Sequence, residues 1–571
     1  MLKLITSFLV AVFFSGCYAQ TTVSEEVKSN IRARVDNGIN TGIVVGVIDA
    51  NGPKYYSYGV KSLKSKEAVS EHSVFEIGSI SKTFTGILLA DGVIKGEMDL
   101  DDPLQNYLPA GVTAPTRNGA AIKLVHLTNH TSSLPRMPDN FKPANPANPF
   151  ADYSEKQLYD FLNNYTLTRD IGSEYEYSNY AAGLLGHIMA TKKGVTYEQL
   201  MIDVIARPLN LNDTRIALTP EMKANLAMGH NEGVEVENWD IPTLAGAGAI
   251  RSTAVDMVKY VSSNMGKMKS KLYPAMQLSH KNTRAEGSNP MVGLGWHKMG
   301  SVESEIIWHN GGTGGYRTFI GFTQGGDKGV VVLSNSSASV DDIGIYLLNP
   351  ASPLKPIKNS IAIKLRNTID AQGMEAGVKA YEEIKKTQAD NYDLSESQLN
   401  KLGNEYLSKG ETEKAIAVFG MNAETYPQSS NVFYSSGEAF MKKGDKEKAI
   451  ENYKKSVALN PGNKSSVDRL KESGVNTSDV IKEVVVDANT LESYVGQYQL
   501  APGFIITISR EGNQLKAQAT GQPEFPVFPK SNNVFYLKVV DAQLTFNHNE
   551  EGKVQSVTLR QAGQEIVGKK L

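Results

Sequence analysis

Between about residue 30 and residue 348 the apolar positions fall into two kinds of pattern. Gly42-Ile43-Val44-Val45-Gly46-Val47-Ile48 and Val330-Val331-Val332-Leu333 are short apolar runs that read as strands. The long middle between them carries helical periodicity instead, which predicts an α+β layout. Within it, Pro135, Pro138, Pro143, Pro146 and Pro149 punctuate a polar stretch that can be neither helix nor central strand. A loop of that length inside a compact domain is often functional.

From Gln398 the pattern changes to a 34-residue period: Gly403/Gly437, Tyr406/Phe440, Gly410/Gly444, Ala415/Ala449, Phe419/Tyr453 and Pro427/Pro461. Small residues where two helices touch, aromatics between them and a proline closing the second helix are what stacked helix pairs require, and the segment resembles tetratricopeptide repeats. Because about three units are needed to bury a continuous face, a degenerate pair is expected upstream, from Ile361 to Lys386, where Gly373 and Tyr381 fit loosely. From Leu491 onward short alternating runs such as Phe504-Ile505-Ile506-Thr507-Ile508 and Val554-Gln555-Ser556-Val557-Thr558-Leu559 are separated by turn signals, which predicts a small antiparallel β-barrel. The expected organisation is therefore a leader over 1–19, a first domain over 20–350, a linker and degenerate helical pair over 351–395, repeats over 396–475, a linker over 476–490 and a barrel over 491–571.

A chain of 571 residues is indeed too long for one core. Fifty-nine bases against 61 acids leave a net charge of −2, so there is no global attraction toward nucleic acid or an anionic membrane. At the N-terminus Lys3 precedes the apolar run Leu4 to Phe14, too short to span a bilayer, followed by small residues. This reads as a secretory signal peptide and predicts export to the periplasm or beyond. Cleavage after Ala19 would remove Cys17, the one cysteine, and with it any disulfide or thiol chemistry. Phe14-Ser15-Gly16-Cys17 also resembles a lipoprotein box, in which an acylated Cys17 would tether the protein to a membrane.

Three short motifs carry the candidate chemistry. In Ser79-Ile80-Ser81-Lys82, ahead of the helical pattern Phe84, Ile87, Leu88, the serine falls at a helix start with the lysine one turn on, on the same face. A hydroxyl is a poor nucleophile until a neighbour takes its proton, and a desolvated lysine can do so. Alone the spacing is weak: Ser79 would also serve as a plain helix cap with Lys82 in solvent, and Ser352-Pro353-Leu354-Lys355 repeats the spacing in a proline-broken stretch with no role assigned. Tyr177-Ser178-Asn179 adds a phenol capable of base catalysis beside an ammonium and an amide to orient both. Trp308-His309-Asn310-Gly311-Gly312-Thr313-Gly314-Gly315 adds glycines that allow a substrate close to the backbone of an edge strand.

Taken in order, Ser79 to Lys82, Tyr177 to Asn179 and His309 to Gly311 resemble the three motifs of the serine β-lactamase and penicillin-binding protein superfamily, closest to its class C-like branch with family VIII esterases and D-amino-acid peptidases. The flanks Leu127-Thr128-Asn129-His130-Thr131-Ser132-Ser133-Leu134-Pro135 and Gly246-Ala247-Gly248-Ala249-Ile250-Arg251-Ser252-Thr253 agree with it. The resemblance implies an antiparallel sheet flanked by helices, with an all-helical part. It also implies Ser79 as acylating nucleophile, Lys82 as its proton partner, Tyr177 as base for acyl-enzyme hydrolysis and Asn179 as orienting amide. The backbone N–H groups of Ser79 and Gly312 would form the oxyanion hole, with His309 and Gly311 lining the substrate side. Class C β-lactamases carry Lys-Thr-Gly where this chain has His309-Asn310-Gly311, and histidine is charged only part of the time near neutrality. Short-chain esters and D-amino-acid peptides are therefore expected ahead of β-lactams. No metal or organic cofactor is expected: His126 and His130 have helical spacing, but Leu127 stands where a zinc-protease helix needs Glu. The expected partners are a small-molecule or peptide substrate and, through the repeats, a protein. The alternatives are a class C-like β-lactamase proper and a catalytically inactive penicillin-binding-like scaffold that acts through its repeats.

Overall fold

The computed structural model describes residues 23–231, 233–285, 288–301, 304–477, 480, 484–501, 504–520, 524–540, 542–561 and 564–571. The expected leader and Cys17 lie outside the described residues. The chain divides into two compact units, residues 1–357 and 358–571.

The first unit is built on a seven-stranded antiparallel sheet formed by β1 (Gly42–Asp49), β2 (Gly52–Gly59), β3 (Met291–Val292), β4 (His297–Met299), β5 (Ile306–Gly312), β6 (Arg317–Thr323) and β7 (Gly329–Ser334). Their order is β2-β1-β7-β6-β5-β4-β3. The two unbroken apolar runs of the sequence become adjacent strands, Val45 of β1 opposite Val332 of β7. Both are buried throughout because the sheet is covered on both faces. Ile43, Val45, Val47, Val330 and Val332 pack on one side with Val27 and Ile31 of α1 (Glu25–Asp36). Val44, Ile48, Val331 and Leu333 belong to the larger core on the other side. That core includes residues of α2 (Ser81–Ile94), α3 (Asn179–Lys193) and α4 (Ala254–Asn264). The outer layer ends with α5 (Asp341–Leu348), whose Ile343 and Leu347 join the α1 side.

Helix α2 is buried at every position from Ser81 to Ala90. Its close approach to the loop before β4 is read off one glycine: a Cβ at Gly86 would lie 1.9 Å from the Leu294 carbonyl oxygen. The proline-rich stretch forms no helix or strand between Thr128 and Glu155, as its composition requires. It closes on its own aromatics instead, Phe141 lying 4.9 Å from Phe150 and 5.7 Å from Tyr153 between ring centres.

The second unit begins with helices α6 (Ile361–Gln372) and α7 (Met374–Thr387), and continues through α8 (Glu396–Ser408), α9 (Thr412–Thr425), α10 (Ser430–Lys443), α11 (Lys446–Leu459) and α12 (Lys464–Glu472). The 34-residue period has a direct geometric cause. A Cβ on Gly403 would meet the Phe419 ring at 2.4 Å, and a Cβ on Gly437 would meet the Tyr453 ring at 2.4 Å, so each pair closes by laying an aromatic on a glycine. After α13 (Ala488–Tyr494), eight antiparallel strands, β8 (Gly496–Ala501), β9 (Phe504–Glu511), β10 (Gln514–Ala519), β11 (Phe525–Pro529), β12 (Val534–Leu537), β13 (Ala542–His548), β14 (Val554–Gln561) and β15 (Gln564–Lys570), close into a barrel. Inward residues such as Tyr498, Ile506, Leu515, Val527, Phe535, Leu544 and Val557 fill it.

Candidate active site

The first motif lies on a single 3₁₀ turn, Gly78–Ile80, that runs straight into α2. Gly78 has φ of +52°, and a Cβ there would fall 2.7 Å from the Gly312 nitrogen. The turn therefore needs glycine twice over, for its left-handed backbone and for its contact with the end of β5. That contact sets Ser79 beside the strand that carries the third motif. Ser79 is half-buried, whereas Lys82, one turn later, is 2% exposed.

The Lys82 amine has three oxygen neighbours: Ser79 Oγ at 3.0 Å, Asn179 Oδ1 at 2.8 Å and the Ala247 carbonyl at 2.7 Å. It lies 4.8 Å from the centre of the Tyr177 ring. Tyr177 and Asn179 are held by the start of α3, where the Ser178 hydroxyl accepts from the Ala181 N–H and donates to the Pro135 carbonyl. Ser79, Lys82, Tyr177 and Asn179, about a hundred residues apart in the chain, thus converge on one point.

Burial, and behind it the Arg136 charge, holds the Lys82 ammonium well below the usual lysine range. A neutral amine has two N–H groups and one lone pair. Lys82 Nζ donates to Ser79 Oγ as an ammonium; once neutral, it keeps its two N–H groups on the acceptor-only oxygens of Asn179 and Ala247 and turns its lone pair to the Ser79 O–H. Tyr177 moves the other way: burial pushes its phenol up to about 12, against the opposing effects of Ser79 and the Arg136 charge. It is a neutral phenol at physiological pH.

The third motif brings a correction. His309 is 1% exposed, and burial keeps its imidazole well below the ordinary range. The partial charge expected at this position is absent because the ring cannot be solvated as a cation. Its Nδ1 is 2.5 Å from the Asn310 carbonyl and so donates to it, which leaves Nε2 an acceptor with no partner among the described residues. The glycines are also used differently from the sequence reading. A Cβ on Gly311 would fall 1.9 Å from the Ile77 carbonyl oxygen, so this residue admits the chain's own backbone, not a ligand. Gly312 is the exposed one. Although β5 is an interior strand of the sheet, β4 pairs only with Ile306 to Trp308, so the edge beside Gly311 and Gly312 has no partner from β4.

Three contributors were invisible to sequence reasoning. His297 on β4 lies 4.7 Å from His309 and 6.3 Å from Tyr177 between ring centres, and burial lowers it to about 4. Ala247 gives Lys82 its carbonyl. Arg136, on the proline-rich loop, sets its guanidinium carbon 5.2 Å from the Tyr177 ring centre. The residues set aside as non-metal behave as structure: His126 Nδ1 accepts from the Lys123 N–H and His130 Nδ1 from the Ser178 N–H. No cluster of three candidate metal ligands occurs among the described residues.

Comparison with known proteins matches residues 27–348 to the Beta-lactamase family, 430–463 to the Tetratricopeptide repeat and 482–570 to a domain of unknown function, DUF3471. Over 367 residues the chain is 28% identical to a Beta-lactamase of Escherichia coli K12, covering 58% of this chain and 93% of that protein. Over 378 residues it is 30% identical to the D-alanyl-D-alanine-carboxypeptidase/endopeptidase AmpH of the same organism, covering 62% and 93%. A crystal structure of a Beta-Lactamase/D-Alanine Carboxypeptidase from Pseudomonas syringae shares the fold, with a TM-score of 0.51 at 21% identity over 57% of this chain and 98% of that one.

Proposed function

We propose, from the premise that the chain belongs to the beta-lactamase family and is a serine hydrolase, that it cleaves carboxylic esters and D-amino-acid amides through an acyl-Ser79 intermediate. The observation that carries this reading is the Lys82 amine, desolvated, its pKa held well below the usual lysine range, 3.0 Å from Ser79 Oγ and held there by the Asn179 and Ala247 oxygens. As Ser79 Oγ bonds to the substrate carbonyl carbon, its proton passes to Lys82 Nζ. The carbonyl electrons collect on an oxygen that the backbone N–H groups of Ser79 and Gly312 can receive. Tyr177, a neutral phenol whose ring centre lies 4.8 Å from the Lys82 amine, donates its proton to the leaving group as its bond to the carbonyl carbon breaks, and is reprotonated by the Lys82 ammonium. Water then attacks the ester carbonyl of acyl-Ser79 while Lys82, neutral again, accepts its proton; the bond from the acyl carbon to Ser79 Oγ breaks, and the Lys82 ammonium returns that proton to Oγ, which leaves as the free hydroxyl. Tyr177 thus acts as a proton carrier, in place of the resident phenolate that the resemblance implied.

Substrate preference follows from charge. With burial disfavouring a charged His309, the third motif offers no cation to a substrate carboxylate, and this supports uncharged ester substrates ahead of β-lactams. The test is parallel kinetics on a nitrophenyl ester, an acyl-D-Ala-D-Ala peptide and a chromogenic cephalosporin, together with labelling by a fluorophosphonate and a Ser79→Ala control. The expected result is Ser79-dependent labelling with turnover of the first two substrates. Turnover of the cephalosporin alone would reverse the ranking, and an unlabelled wild type would point to an inactive scaffold.

A further inference from the structure

Away from the catalytic centre, the first unit carries a second cleft, of about 660 Å³. None of Ser79, Lys82, Tyr177, Asn179 or His309 lines it. Part of its lining is a row across the sheet: Lys298 of β4 stands opposite Ile307 of β5, which stands opposite Phe322 of β6. Leu278, on the helix Tyr273–His280, and Ile94, at the end of α2, extend the apolar wall. Ile94 is 55% exposed, a large apolar side chain left in water beside the cleft. An apolar recess with a few polar groups, of about 300–1,000 Å³, is the ordinary form of a small-molecule site.

The charges around this recess have one sign. Two lysines, Lys281 and Lys298, and no acid line it. The Lys298 side chain is 10% exposed and pairs with Glu305 at 2.9 Å. An ammonium has three N–H groups, and Glu305 is the one polar partner of Lys298 among the described residues, so two remain for a ligand oxygen. His280, also in the lining, is no cation: burial, and behind it the Lys298 charge, lowers it to about 3, and its Nε2 lies 2.9 Å from Asn264 Oδ1. The loop between α4 and the helix Tyr273–His280 is flanked by two lining residues, Met265 and Tyr273, and carries the exposed Lys267, Lys269 and Lys271. From residue 264 to residue 284 the chain holds five bases, those three with Lys281 and Arg284, and no acid, in a protein whose net charge is −2. Among the described residues none of Lys267, Lys269, Lys271 and Lys281 pairs with an acid. A solvated, salt-bridged face alternates its signs; this one keeps a positive field beside an apolar recess.

We propose that this cleft binds a single-chain amphiphile with an anionic head. The chain lies along Ile94, Leu278, Ile307 and Phe322, and the head is held by Lys281 and the remaining N–H groups of Lys298. Both halves of the pattern are needed to reach that ligand. A polyanion would use the lysines and leave the recess and Ile94 without a role, whereas a cationic amphiphile would fill the recess against the field around it. The inference is independent of the acyl-Ser79 reading, because no residue of that centre takes part.

Calorimetric titration of the full-length protein with dodecanoate, kept below its micelle concentration, tests it. Acetate supplies the head without the chain, and dodecyltrimethylammonium the chain with the opposite charge. Dodecanoate is expected to bind saturably, at least about 10-fold tighter than dodecyltrimethylammonium, and acetate is expected not to saturate. Two exposed substitutions locate the site. Ile94→Glu sets an acid against the chain and should weaken dodecanoate at least about 10-fold, and Lys281→Gln should weaken it about 2- to 5-fold, the effect of one exposed ion pair. Circular dichroism and the unfolding midpoint of each variant check that it is folded, and Lys281→Gln carries the test if Ile94→Glu is not. Absent dodecanoate binding, equal affinity for the two dodecyl compounds, or an affinity that a folded variant leaves unchanged overturns the proposal. Co-sedimentation with phosphatidylglycerol vesicles without dodecanoate binding assigns the lysines to a bilayer surface and overturns it as well. Fluorophosphonate labelling with its Ser79→Ala control decides the hydrolase reading separately, whatever the titration gives.

Discussion

The reactive pair works because solvation is denied to one of its members. A lysine in water is an ammonium and cannot take a proton; at 2% exposure, desolvation and the Arg136 charge shift Lys82 toward the neutral amine. Replacing it with Met keeps the bulk and removes the base, so kcat for ester hydrolysis should fall by about 10² to 10⁴-fold, with the loss read as slower acylation in single-turnover labelling. Ser79→Ala should cost on the order of 10⁴-fold or more. The pH dependence follows with its sign: Lys82 is the base only when unprotonated, so kcat/KM should be full above its lowered pKa and decline as pH falls through it. The Arg136 charge contributes to that lowering. Arg136→Gln should therefore move the acid limb of the kcat/KM profile toward higher pH, and a limb that stays put or shifts toward acid would mean that Lys82 does not set it. At this scale Ser79 and Lys82 were legible in the sequence because a helix converts a spacing of three into a shared face. Arg136, His297 and Ala247 were not, because each reaches the centre from a separate segment whose own pattern carries no period that points there.

Elements set the tolerance within which those side chains meet. The end of β5 presses on the turn before α2 through Gly311 against the Ile77 carbonyl and Gly312 against Gly78. The sequence marks both positions as glycine, but it cannot tell whether a ligand or the chain's own backbone claims the space; only packing decides that, and it gives Gly311 to Ile77. A methyl group at Gly311 has no flexible neighbour to displace, since a carbonyl oxygen sits 1.9 Å from where it would go. Gly311→Ala should thus destabilise the first unit by about 1–3 kcal/mol and shift the strand that supplies the Gly312 N–H. Chemical denaturation would give the first quantity, and labelling at a denaturant-free temperature well below the transition would show whether activity falls further than folding does. Gly403 and Gly437 use the same device in the second unit, a glycine covered by an aromatic ring, and there the 34-residue recurrence made it readable in advance. Recurrence is what β5 lacks: a contact made once leaves no periodic trace.

At the scale of the whole molecule, each unit closes its own cores. Among the described residues, the clusters that hold the seven-stranded sheet draw on residues no later than Leu354, and those of the helices and barrel begin at Ile361. Within the second unit the barrel is fixed to the last repeat, with Gln543 Nε2 and Lys530 Nζ both donating to the Leu459 carbonyl and Leu537's carbonyl 2.2 Å from a Cβ position on Gly462. Since burial of apolar surface is the largest favourable contribution to folding, a chain with two closed sets of cores should unfold in two steps. A segment ending at residue 357 retains Ser79, Lys82, Tyr177, Asn179, His309 and Arg136 with all their contacts described above. It should therefore hydrolyse a nitrophenyl ester within about threefold of the full-length rate, a change below the ~1 kcal/mol that one lost hydrogen bond would cause. Calorimetry on the full chain and ester kinetics on the segment check this together. A single transition, or a segment that folds and yet loses turnover, would mean that residues beyond 357 complete the catalytic unit, and the repeats and barrel would then have to be counted as part of the enzyme itself.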